Sequence, residues 1–153
     1  MQRIQSFTVD HDYIERDIYV SRIDGDITTY DLRTRKPNAG DYMDNLTMHS
    51  LEHMFATYVR NSNIGANVIY FGPMGCRTGF YLLVRNSTPD EVLVTVTETL
   101  ERIISHHGEM FGASRQECGN YRELSLDAAK DEARKYLDAL KSKTHDFKYP
   151  KNL

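Results

Sequence analysis

The chain has 153 residues, a formal charge of -3, 40% apolar and 27% charged residues. That composition excludes a disordered chain and suffices for one compact core without disulfide staples. Near-balanced charge, 19 Lys+Arg against 22 Asp+Glu, excludes the basic excess that a nucleic-acid binder needs. No stretch approaches the roughly 18 uninterrupted apolar residues of a membrane span, and Met1 to Ser6 has no apolar core of the kind a signal peptide carries. A cytoplasmic single domain over residues 1–153 is therefore expected, with Cys76 and Cys118 reduced and free for chemistry.

The first expected elements are two extended segments, Asp17 to Ile23 and Ile27 to Leu32. Asp24-Gly25-Asp26 between them supplies a positive-φ turn, so the pair is expected as a hairpin. Arg33 to Asp44 contains Pro37, Asn38 and Gly40 and is expected as a loop. Helical periodicity follows from Asn45 to Asn61, with Asn45 or Thr47 as cap. Asn67 to Phe71 and Thr78 to Arg85 are rich in β-branched and aromatic residues and are expected as strands. Thr88 as cap, Pro89 at the first position and Glu91 closing a capping box start a second helix. Its stripe of Val92, Leu93, Val96, Leu100, Ile103 and Ile104 carries it to about His107. Gly108 to Tyr121 is irregular, and a last helix spans Ser125 to Lys143 on a stripe of Ala128, Ala129, Ala133, Tyr136, Leu137 and Leu140. The order β-β-α-β-β-α-α favours an α+β fold, an antiparallel sheet with helices packed on one face.

The sharpest chemical signal is His49-Ser50-Leu51-Glu52-His53. Residues four apart on a helix project to the same side, so both imidazoles can reach one metal ion, and Glu52 leans toward the same face. The order is the inverse of the common His-Glu-x-x-His zinc pattern, and inverted versions form their own peptidase group. A merely structural histidine pair is the alternative; the glutamate and a candidate third ligand favour the metal.

Cys118, in Glu117-Cys118-Gly119, is that candidate. Three protein ligands and one open position make a catalytic site, and two His with one Cys suit zinc or ferrous ion. A buried, inert thiol is the competing reading. Cys76 lies in a glycine-flanked loop, Pro73 to Gly79, with Arg77 beside it. It reads equally as a thiolate proton-transfer base or as a small hydrophobe at a strand entrance. Arg33 could clamp a carboxylate or hydroxyl groups, or simply end a strand. His106, His107 and His145 read as structural or surface residues.

Five segments in register resemble the S-ribosylhomocysteine lyase (LuxS) family. They are Ser6 to His11, Tyr30 to Arg33 (followed by Lys36-Pro37-Asn38), His49 to Ala56, Gly72 to Tyr81 and Glu117 to Gly119. The resemblance implies an enzyme that cleaves S-ribosylhomocysteine to homocysteine and 4,5-dihydroxy-2,3-pentanedione, the autoinducer-2 precursor. It implies one divalent metal ion per subunit, with ferrous iron as the native ion and zinc as another occupant, held by His49, His53 and Cys118. It also implies Cys76 and Glu52 as acid/base residues, and Ser6, His11 and Arg33 against the ribosyl part. The family forms homodimers whose active sites draw on both chains. Tyr70 departs from the family, which often has an acidic residue there. Two further readings compete: a metallopeptidase with Glu52 as base for a metal-bound water, and a non-catalytic metal-binding or regulatory module.

Overall fold

The computed structural model describes residues 1–153. Four antiparallel strands, β1 (Asp17–Asp24), β2 (Ile27–Arg33), β3 (Val68–Pro73) and β4 (Phe80–Arg85), form one sheet in the order β1-β2-β4-β3. Three helices, α1 (Asn45–Arg60), α2 (Pro89–Ile104) and α3 (Leu126–Lys141), pack on one face of it. The α+β expectation holds. None of the helices is long and apolar enough to cross a membrane.

The hairpin forms because Asp24 pairs with Ile27 across a two-residue turn. Gly25 takes φ 63° there, the positive value that a turn matching the strand twist requires at its first central position. Alternation along β2 sends Tyr30 and Leu32 into the helix-covered core and Asp31 and Arg33 to the opposite face. Phe71 stacks between Phe55 of α1 and Phe80 of β4, with ring centroids 4.3 and 4.9 Å away. This stack seats α1 on the sheet.

Several element ends differ from expectation. The α1 cap is Asp44, whose carboxylate accepts the Thr47 N–H at 2.7 Å; Asn45 and Thr47 are already helical. β3 is shifted to end at Pro73, and β4 starts at Phe80 instead of Thr78. The intervening loop closes on itself, with the Met74 and Arg77 N–H groups donating to the Gly79 and Met74 carbonyls. Only half of the capping box forms at α2: the Thr88 hydroxyl accepts the Glu91 N–H. That helix ends at Ile104, before His107, because His106 turns inward to hydrogen-bond Tyr58 at 2.7 Å and the Glu109 carbonyl at 2.8 Å. Likewise α3 ends at Lys141, since Lys143 reaches back to the Arg16 carbonyl and His145 bonds Asp17 and the Leu140 carbonyl.

The stripe of α3 also carries a charge. Glu132 is 2% exposed, between Ala129 and Tyr136, and accepts two hydrogen bonds from Arg35 at 2.7 and 2.8 Å. Arg35 donates a third to Asp41 at 2.6 Å. This bidentate pair ties the loop that leads into α1 to the far helix, so α1 enters at a fixed place.

The sheet face away from the helices is covered over β1 and β2 by the chain termini. Val9, Ile14 and Tyr19 form a second small cluster there, with Tyr149 stacked on Tyr19 at 4.9 Å. The last residues run alongside the first. Asp10 donates to the Lys151 carbonyl, Leu153 to that of Thr8, and Val20 of β1 to that of Phe147. Loss of Glu132 leaves the buried Arg35 with only the exposed Asp41 as partner, so Glu132→Ala is expected to cost about 3 kcal/mol in urea unfolding at neutral pH.

Candidate metal centre and cysteine pocket

His49 and His53 lie one turn apart on α1, with ring centroids 4.6 Å apart. Each Nδ1 faces a backbone carbonyl: that of Glu123 at 2.9 Å for His49, and that of Phe111 at 3.0 Å for His53. A carbonyl only accepts, so each Nδ1 carries a proton, and in the neutral ring Nε2 is then the nitrogen with the lone pair. Cys118 Sγ lies 3.4 Å from His49 Nε2. The ligand atoms of His49, His53 and Cys118 all fall within 4.8 Å of one another. Bonds of roughly 2.0–2.3 Å in a tetrahedron put donor atoms roughly 3.3–3.7 Å apart, so the trio fits one ion with a small contraction. The Asn120 N–H, 3.4 Å from Cys118 Sγ, offers a hydrogen bond suited to a thiolate ligand.

Local structure explains why the carbonyls are there. Ser50, fully buried on α1, accepts the Ser125 N–H at 2.8 Å and brings residues 123–125 against the helix. Phe111 packs edge-on against Tyr58 and His106, at 5.1 and 4.8 Å. Gly112 follows with φ +65°, and a Cβ there would lie 3.0 Å from His53 Nδ1, so only glycine lets the loop pass the imidazole. Glu52 stands half-buried on the same helix, between His49 and His53 in sequence.

Ser6, His11, Arg33 and Cys76 line a different feature, a cavity of about 360 Å³ shared with Phe7, Pro73, Met74, Gly75 and Tyr81. None of His49, Glu52, His53 or Cys118 is among its walls. His11 uses Nδ1 on the Val9 carbonyl at 2.9 Å, which leaves Nε2 as an acceptor. Arg33 is 3% exposed and clamps Asp31 through Nε at 3.0 Å and Nη2 at 2.5 Å. Burial opposes its charge, but Asp31 outweighs that, and the guanidinium is held above its ordinary pKa, with Cys76 adding in the same direction. Its Nη1 donates to the Thr78 hydroxyl at 2.9 Å, and that oxygen lies 3.1 Å from Cys76 Sγ. Thr78 accepts from Arg33, so its own proton is free to point at the sulfur.

Arg77, the expected cationic neighbour of Cys76, instead donates to the Met43 carbonyl and lies over the Tyr42 ring. Arg33 is the guanidinium that reaches the cysteine, through Thr78. Asp31, Thr78, Tyr81 and Tyr149 were not singled out from the sequence. Only Asp31 had a readable signal, an acidic residue two before Arg33 on one strand face. Tyr70 lays its ring across Gly72, where a Cβ would meet its hydroxyl at 1.9 Å.

A profile of the S-ribosylhomocysteinase (LuxS) family matches residues 4–147. The chain belongs to the LuxS family. As such it is an enzyme, a carbon–sulfur lyase. Proteins named S-ribosylhomocysteine lyase resemble it over 90% or more of their length. The one from Borreliella afzelii (strain PKo) is 42% identical, over 98% of this chain and 100% of the relative. That of Finegoldia magna is 41% identical over 98% and 99%, and that of Clostridium acetobutylicum 39% over 98% and 99%. In this LuxS chain the loop glycine beside His53 has a measurable role. Gly112→Ala is expected to weaken metal binding by about 10- to 100-fold in a chelator competition, because it displaces the Phe111 carbonyl that orients the ligand.

Proposed function

We propose that this chain is a metal-dependent S-ribosylhomocysteine lyase acting in the cytoplasm, which releases homocysteine and 4,5-dihydroxy-2,3-pentanedione. The observation that carries the reading is the convergence of His49, His53 and Cys118, with both Nδ1 atoms held by backbone carbonyls, in a chain matched along its length to relatives of that name. One divalent ion per subunit, ferrous iron or zinc, would be held by these three residues. When bound it supplies a Lewis acid for negative charge that builds on a carbonyl oxygen.

The reaction needs repeated proton transfer. A thioether leaves readily only when it sits two carbons from a carbonyl, and in an aldose the carbonyl starts at the far end. Two successive enolisations must move it along the chain, each taking a proton from carbon and returning one to the neighbouring carbon. Glu52 as carboxylate and Cys76 as thiolate are the acid/base pair for these transfers. A last proton abstraction beside the migrated carbonyl then expels the homocysteine sulfur. No net oxidation occurs.

The cysteine pocket supplies binding. Arg33 spends three of its five N–H groups on Asp31 and Thr78, which leaves two for sugar hydroxyls. His11 Nε2 is available to accept a hydroxyl proton, and Ser6 can do either. Cys76 and its cavity share no wall with the metal trio of the same chain, and this supports a homodimer in which each active site joins the metal half of one copy to the cysteine half of the other.

A metal-loaded preparation incubated with S-ribosylhomocysteine and a thiol reagent is expected to yield free homocysteine; none would sink the lyase reading and reopen the metallopeptidase. Cys76→Ala is expected to lose nearly all turnover while retaining its metal, and a non-catalytic module would be indifferent to it. Mixing Cys76→Ala with Glu52→Gln subunits is expected to restore on the order of a quarter of the activity, since half the dimers would be mixed and each would hold one intact site. No recovery on subunit exchange would place each site within one chain.

A further inference from the structure

We propose that Tyr149 is a positioning residue for the cysteine half of the site, acting through Asp31 and Arg33 on Thr78 and the sulfur. Its catalytic consequence rests on the lyase reading above. The contacts are continuous. The Tyr149 hydroxyl donates to Asp31 Oδ2 at 2.7 Å, and the same carboxylate receives Arg33 Nε and Nη2. Arg33 Nη1 then reaches Thr78, whose hydroxyl lies 3.1 Å from Cys76 Sγ. Asp31 has no solvent exposure, so no water replaces a lost donor. Without the tyrosine hydroxyl, Oδ2 would depend on Arg33 alone and draw the guanidinium away from Thr78.

Tyr149 is not among the walls of the cysteine cavity, so it touches neither the sulfur nor anything bound beside it. What fixes it is the segment after α3. His145 is tied to Asp17, the Phe147 carbonyl accepts from Val20, and the Tyr149 ring stacks on Tyr19. Burial first, and then the Asp31 charge, push its hydroxyl above the ordinary tyrosine pKa, so it remains a donor. Beyond it, Lys151 and Leu153 pair with Asp10 and Thr8, in the segment between Ser6 and His11. One strap thus holds both the relay and the backbone that carries two pocket residues. The family match ends at residue 147, before this tyrosine.

Tyr149→Phe removes the hydroxyl and keeps the stack, so it separates positioning from packing. The readout is peptide-resolved alkylation of Cys76 by iodoacetamide in the metal-loaded protein. Relative to the parent, the variant is expected to react about threefold more slowly near pH ~7 and at an equal rate near pH ~9.5, above the ordinary thiol range. In an Arg33→Met background the same substitution should change the rate less than about 1.5-fold, because the relay is already cut. Thr78→Val should reproduce the slowing from the other end. Equal rates at neutral pH, slowing at both pH values, or a full effect persisting without Arg33 would each overturn the proposal. If the alkylation pattern appears but neither protein releases homocysteine, the lyase reading fails and the positioning role of Tyr149 stands.

Discussion

An imidazole binds a metal only through the nitrogen its surroundings leave free, and in this chain two backbone carbonyls make that choice. The carbonyls of Glu123 and Phe111 each accept a hydrogen bond from the Nδ1–H of a histidine on α1, which leaves Nε2 of each for the shared cluster. The carbonyls can do this only if the long connection between α2 and α3 is held against α1. Ser50 holds one end of it through Ser125, and His106 with Tyr58 holds the other. The irregular stretch from Ser105 to Ser125 is therefore ordered by the helix whose histidines it orients. Cys118 arrives on the same stretch.

The cysteine pocket is built on the opposite kind of surface. β2 presents Asp31 and Arg33 away from the helices, where burial of either charge alone would be costly; each neutralises the other, and Thr78 and Tyr149 complete the hydrogen bonds. The termini make that burial possible, because they cover β1 and β2 on the side that the helices leave open. Residues from both ends of the chain consequently pair on this face, and the N-terminal ones, Ser6, Phe7 and His11, line the cysteine pocket. The cluster of His49, His53 and Cys118 lies on α1 and the connection beside it, on the helical side of the molecule, and the cavity around Cys76 includes none of its members.

Local order was legible wherever it depended on neighbours in sequence. The hairpin about Gly25, the Thr88-Pro89 helix start and the strand–helix order all follow from turn chemistry and periodicity, and all are present. Helix ends were misplaced where a side chain found a distant partner: His106 with Tyr58, Lys143 with Arg16, His145 with Asp17. A stripe-based reading of α3 had no place for Glu132, since a carboxylate can be buried only when Arg35, nearly a hundred residues away, comes to meet it.

By itself the sequence determined the residue types and the spacing: two histidines four apart, a glutamate beside them, and two cysteines with no disulfide to make. Helical geometry alone aligns the imidazoles, so that part needed no fold. Only tertiary structure decided which nitrogen each histidine offers, that Cys118 completes the trio, and that Arg33 instead of Arg77 faces Cys76. Each of these depends on where a remote backbone carbonyl, loop or strand face comes to rest. Hydrogen bonds over such separations leave no periodic trace in the chain.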